Sequence, residues 1–101
     1  MTVNDFQFTT TDSGGMFYLG DASAPDAYIS YTTIDSNLIS IDHTVVKPEL
    51  GGQGIAKKLV KKIIDLAIGE KYKIIPVCSY ASAFFEKNKE YQYLLAPEQG
   101  I

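Results

Sequence analysis

Gly51-Gly52-Gln53-Gly54 stand where a β-branched stretch gives way to an amphipathic one. A helix that opens on glycines is an anion site by construction. Its first amides have no internal partner, and the aligned peptide dipoles place about half a positive charge there. Glycine removes the side chain that would hold a phosphate away from those amides. Lys57 and Lys58 fall in the first turn and can add charge. The chain has one histidine, His43, and one cysteine, Cys78. An imidazole titrates near neutrality and suits a general base. A thiol at a strand's carboxyl end, just before a helix, sits where negative charge is favoured. Tyr80 offers a phenol beside it. Together these types suggest recognition of a phosphorylated ligand next to a proton-transfer pair, and no metal is called for.

Each residue also has a plainer reading. The glycines could form a tight strand-to-helix connection and nothing more. Lone cysteines usually serve as small core residues. Alternation puts His43 on one strand face with Ile39, Ile41 and Val45, the setting of a hydrogen-bonded core histidine. Phe84 and Phe85 are ordinary core types, and Tyr28, Tyr31, Tyr91 and Tyr93 read as covers for a sheet.

The elements that would position these groups follow from hydrophobic period. Residues 6–10, 16–19, 27–34 and 38–46 alternate or are β-branched and read as four strands. Thr11-Asp12-Ser13-Gly14-Gly15 and Asp35-Ser36-Asn37 carry turn chemistry. Pro48 ends the fourth strand because it has no amide hydrogen for a ladder. From Ile55 the period becomes 3.6. Ile55, Ala56, Leu59, Val60, Ile63, Ile64 and Ala67 form one face and the lysines another, with Gly69 the expected stop. Residues 73–79 read as a fifth strand and 80–88 as a second helix; 91–95 fits a short strand or a helical turn. The fourth strand, first helix and fifth strand predict a right-handed crossover between parallel strands. The class is α+β, a mixed, mostly antiparallel sheet with a β-α-β-α C-terminal half.

Of the phosphate motifs that use glycine turns, a P-loop requires Lys-Ser or Lys-Thr after its last glycine. Here Ile55-Ala56 follows Gly54. The dinucleotide fingerprint requires a third glycine, which Lys57 replaces. Residues 46–60, Val-Lys-Pro-Glu-Leu-Gly-Gly-Gln-Gly-Ile-Ala-Lys-Lys-Leu-Val, resemble instead the acyl-CoA loop of the GNAT superfamily, Arg/Gln-x-x-Gly-x-Gly/Ala. Gly54 and Ala56 match its last two positions, and Gly51 stands where Arg or Gln is expected. The resemblance runs from about residue 39 to 95 and implies the minimal GNAT fold in one domain, residues 1–101.

It also implies a function: transfer of an acetyl group from acetyl-CoA to a primary amine, of a small molecule, peptide or protein, by direct attack. The cofactor contacts it implies are Gly51, Gly52, Gln53, Gly54, Ile55, Ala56, Lys57 and Phe84, with backbone amides near Val45 and Val46 holding the carbonyl. The superfamily's usual acid, a Tyr on the last helix, aligns with Phe85, which has no proton to give. Ile41-Asp42-His43-Thr44, Pro76-Val77-Cys78-Ser79-Tyr80 and Phe84-Phe85-Glu86-Lys87 resemble a compact subgroup with a Cys-Ser-Tyr motif on the fifth strand. That subgroup lacks the helices that normally enclose the acceptor. Cys78 then becomes the candidate acid or acyl carrier, His43 the base and Tyr80 a reserve acid. The replaced acid and reduced pocket leave open a non-catalytic CoA-binding or protein-interaction module, and a structural domain that binds no nucleotide.

Composition bounds the rest. At 101 residues, 46% of them apolar, the chain is long enough for one core. The net charge of −3 argues against nucleic-acid binding, which needs a basic face. Charge is segregated: the first 42 residues hold six aspartates and no Lys or Arg, while Lys57, Lys58, Lys61 and Lys62 cluster after the glycine turn. One cysteine excludes an internal disulfide. No signal-peptide pattern or membrane-length apolar run is present, so the expected location is the cytoplasm, with no membrane partner.

Overall fold

A computed structural model describes residues 6–52 and 54–96. Four strands come first: β1 (Gln7–Thr10), β2 (Gly14–Asp21), β3 (Ala24–Asp35) and β4 (Leu38–Val46). A 3-10 turn at Pro48–Leu50 leads into α1 (Ile55–Glu70), then β5 (Lys73–Pro76), α2 (Ser79–Lys87) and a 3-10 segment, Lys89–Leu94. The sheet order is β1-β2-β3-β4-β5. The first four strands pair antiparallel and β5 pairs parallel to β4. This is the mixed, mostly antiparallel sheet that the sequence predicts.

α1 buries Ile55, Leu59, Val60, Ile63, Ile64 and Ala67 against Ala27, Ile29, Tyr31, Ile39 and Ile41 of the sheet. Ala81, Phe84 and Phe85 of α2 join the same cluster. Both helices therefore cover one face, and among the described residues the other face carries none. Residues paired across strands share a face. Ile29 is opposite Thr44 and Ala27 opposite Val46, so Thr44 and Val46 look toward the helices.

Several boundaries differ from expectation, and the larger differences have local reasons. β2 begins at Gly14, since both glycines read as a turn are paired, Gly14 with Thr32 and Gly15 with Tyr31. A Cβ at Gly14 would stand 2.1 Å from the Tyr31 carbonyl oxygen, so glycine is there for close approach. β3 extends to both sides because Ala24 and Pro25 pair with Asp21 and Gly20 across a bulge at Leu19 and Gly20. α1 runs through Gly69; its stop is Lys71, held left-handed at φ 63, with the Tyr72 amide closing back on the Ala67 carbonyl at 2.9 Å. β5 ends at Pro76, and the Val77 and Cys78 amides both donate to the Ile41 carbonyl at 3.0 Å as the chain turns away. The stretch read as strand or turn is a turn through Leu94, after which Leu95 bridges Ile74.

Candidate active site

The glycine turn has the geometry of an anion cradle. Gly52 and Gly54 sit at φ 82 and φ 72, and no atom lies within 4 Å of a Cβ built on either. Gly54 is the N-cap of α1 and supplies no side-chain cap. The first intrahelical bond runs from the Lys58 amide to the Gly54 carbonyl at 3.1 Å, leaving the amides of Ile55, Ala56 and Lys57 without a helical partner. Gly51 contributes less than expected. Its φ of −64 is ordinary, and its amide is engaged by the Pro48 carbonyl at 3.0 Å. Gln53 lies outside the described residues.

A cavity of about 220 Å³ opens at this turn. Val46 and Leu50 wall one side, the three described glycines and the first turn of α1 another, and Tyr80 closes it from α2. A second cavity of about 260 Å³ shares Lys57 and Tyr80 and continues along Ala83, Phe84 and Lys87. The two read as one groove, running from the helix N-terminus along α2. A larger open depression of about 540 Å³ lies over the outward lysines of α1 and meets the groove at Gly54 and Lys57. Thus the structure brings Val46, Gly51, Gly52, Gly54, Ile55, Ala56, Lys57, Phe84 and Tyr80 together along the groove. Val45 does not: its side chain is 44% exposed and pairs with Tyr28 on the helix-free face.

The sheet itself has a notch beside the groove. β4 and β5 stop pairing at Ile41 and Pro76, while β4 continues to Val46. The Lys47 amide donates to the Asp26 carbonyl of β3 at 3.0 Å. Strand residues turn their backbone groups to alternate sides. Val45 therefore gives its amide to β3, and Thr44 and Val46 turn theirs toward the notch. Of the two amides expected to meet a carbonyl, that of Val46 faces the notch and that of Val45 faces β3; the Thr44 amide also faces the notch.

A β-bulge decides which face the proton-transfer residues occupy. Ser30 pairs with His43 but Tyr31 pairs with Ile41, leaving Asp42 as the extra residue. The bulge shifts the alternation, so His43 shares its face with Ser30 and Val45 and not with Ile39 and Ile41. It is exposed on the helix-free side, which removes the core-histidine reading. Asp42 stands beside it, accepting from Ser40 Oγ at 2.8 Å and from Thr32 Oγ1 at 2.5 Å.

Cys78 is the N-cap of α2, so the Cys-Ser-Tyr motif lies at the turn from β5 into α2 and not on the strand. Its Sγ accepts from the Ala81 amide at 3.3 Å and lies 3.3 Å from Thr44 Oγ1. The thiol is half-buried and packs against the core. Thr44 is two residues from Val46 on the same face, so the thiol sits about 7 Å along β4 from the groove wall. Tyr80 is 38% exposed, and burial of its ring raises the phenol above the usual tyrosine range, keeping its proton on. Phe85 is 1% exposed and wholly core, while Phe84 stacks on Tyr91 at 6.2 Å and also borders the groove.

Thr44, 3.3 Å from the Cys78 sulfur, and Asp42, beside His43, are neighbours that the sequence reading does not single out. Their available signal was weak, two polar residues interrupting a β-branched strand.

The family model for GCN5-related N-acetyltransferases matches residues 16–94. Protein NATD1 of Bos taurus is 31% identical over 68 residues, which are 67% of this chain and 60% of that protein. The chain thus spans about 60% of the length of the curated relatives it matches. A GCN5-like candidate N-acetyltransferase of Staphylococcus aureus, known from an NMR structure, is 38% identical. It superposes with a TM-score of 0.72 over 92% of this chain and 90% of its own. A GNAT family acetyltransferase of Elizabethkingia anophelis, solved with acetyl-CoA bound, shares the fold at 20% identity, with a TM-score of 0.55 over 76% of this chain and 53% of its own. With its family model matched over most of its length and a relative of 38% identity covering nearly all of it, the chain belongs to the GCN5-related N-acetyltransferase family.

Proposed function

We propose that the chain is an acetyl-CoA-dependent N-acetyltransferase that acylates a primary amine by direct transfer. The observation that carries this reading is the continuity of three features: uncapped amides at residues 55–57, the groove beside them, and the notch at the end of β5. Acetyl-CoA supplies the acyl group as a thioester. Its pyrophosphate suits the Gly52 to Lys57 cradle, where glycines leave the amides open and Lys57 adds charge.

The notch lets donor and acceptor meet from opposite faces of the sheet. From the helix-free face, His43 takes the proton from the acceptor ammonium so that its nitrogen can attack the carbonyl carbon. The amides of Thr44 and Val46 receive the charge that develops on the carbonyl oxygen. From the helix side, Cys78 gives its proton to the departing CoA thiolate and recovers, by way of water, the proton that the new amide nitrogen sheds. The Ala81 amide and the Thr44 hydroxyl hold the cysteine sulfur while it is charged. Tyr80, protonated and on the groove wall, is the second candidate acid.

The test is CoA release across a panel of amines and peptides for wild type, His43→Ala, Cys78→Ala and Tyr80→Phe. Removing a general acid or base should lower kcat by about 10²-fold or more. Unchanged rates in both His43→Ala and Cys78→Ala would overturn the residue assignment. Phe85, buried at the position of the family's usual acid, favours one other reading, a module that binds acetyl-CoA without transferring it. Tight binding without thiol release for any amine would select that reading.

A further inference from the structure

We infer that the helix-free face of β4 carries a subsite for a second positive charge on the acceptor, with the Asp42 carboxylate as its anion and a short diamine as its ligand class. The inference rests on the transferase reading above. Asp42 owes its position to the bulge, which sets it beside His43, where the chain would otherwise alternate between faces. Its two oxygens are each held by one hydroxyl, Ser40 Oγ on Oδ1 and Thr32 Oγ1 on Oδ2. Ser40 is 6% exposed, so this support is rigid, while Asp42 itself is only half-buried and open to a ligand. Both donors are neutral hydroxyls, so neither is a counter-charge to the carboxylate. A carboxylate has about four acceptor sites, and two hydroxyls leave room for an ammonium.

The surroundings select for cations. β1 to β4 build most of the open face, and residues 6–46 contain no Lys or Arg; Lys73 of the edge strand β5 gives its ammonium to the Tyr93 carbonyl at 2.7 Å. The nine lysines all lie at residue 47 or beyond. Among the described residues the ion pair present is Lys47 with Asp26, at 2.9 Å, at the end of the β3–β4 pair where Ala27 meets Val46, whereas Asp42 is held by Thr32 farther along the same two strands. A molecule with two amines can therefore present one nitrogen to His43 and leave the other protonated against Asp42. A monoamine makes the first contact and not the second.

The experiment compares kcat/KM for 1,4-diaminobutane and n-butylamine in wild type, Asp42→Asn and Asp42→Glu. Wild type should favour the diamine by about tenfold or more, the size expected of a charge-assisted hydrogen bond. That ratio should fall toward one in Asp42→Asn and largely return in Asp42→Glu. Raising the salt should shrink the wild-type ratio as well, a readout that needs no folded variant. A purely structural Asp42 would move both rates together and leave the ratio intact, which overturns the subsite. Titrating the protein alone with each amine, followed at the Asp42 and His43 NMR signals, separates the two claims. Diamine-specific shifts without acetyl transfer would sustain the subsite and overturn the transferase reading. Transfer with no diamine preference would do the reverse.

Discussion

Under the proposed mechanism, the Thr44 hydroxyl tunes the Cys78 thiol that it touches at 3.3 Å. The sulfur already accepts the Ala81 amide, so the Thr44 hydroxyl is the partner that can follow its change of charge. We expect Thr44→Val to lower kcat about 3- to 10-fold with KM little changed, and Thr44→Ser to restore it, as one hydrogen bond is worth about 1 kcal/mol. Alkylation of Cys78 by iodoacetamide reports the same contact without any turnover, and should slow in Thr44→Val and recover in Thr44→Ser. His43 and Cys78 were legible as residues because each is the single member of its type. Their surroundings were not. Alternation along 39–45 places His43 in the core, and the extra residue at Asp42 reverses that. A bulge leaves almost no trace in a strand where Ser, Asp, His and Thr all occur, so the face each side chain occupies needed the structure.

At the scale of elements, the helix that opens the site is the most sequence-determined part of the fold. The 3.6 period of α1 and its glycine start gave the cradle before any coordinates, whereas its end was misplaced. Gly69 is tolerated inside the helix, and Lys71 adopts the left-handed stop. Left-handed backbone costs a side-chain-bearing residue about 1–2 kcal/mol. Lys71→Gly should therefore stabilise the protein by about 1 kcal/mol in urea unfolding. At Gly54 the same physics runs the other way. No atom crowds a built Cβ, so Gly54→Ala carries only the strain of φ 72 and should destabilise by about 1–2 kcal/mol in the same assay. It should also weaken acetyl-CoA binding, measured by calorimetry, because strain relief moves the first amides of α1. β5 was read as too long because 77–79 is apolar and β-like in type. The ladder ends when Pro76 offers no amide and Ile41 takes the next two, and that early end creates the notch.

Across the whole molecule, two helices cover one face of the sheet and none is described on the other, which under the proposed function separates a donor side from an acceptor side. Charge is segregated along the chain, with six aspartates in the first 42 residues and four of the nine lysines on α1. Among the described residues, no helix is long and apolar enough to cross a membrane. The core also predicts an alkaline limit. Tyr31 is buried, and desolvation, helped by Tyr72 and Glu70, raises its phenol above the ordinary value. The folded state holds that proton more tightly than the unfolded chain, so its contribution is complete below pH about 10 and is lost as pH rises through the folded value. Urea midpoints should fall above pH about 10 in wild type and fall less steeply in Tyr31→Phe.

The central claim is that acetyl-CoA lies on the α1 N-terminus with its acyl end in the notch. Titration of the 15N-labelled protein with acetyl-CoA tests it residue by residue. The account predicts the largest amide shifts at Gly54, Ile55, Ala56 and Lys57, with a second set at Thr44 and Val46. Saturable shifts confined to other residues, or none at millimolar ligand, would contradict it.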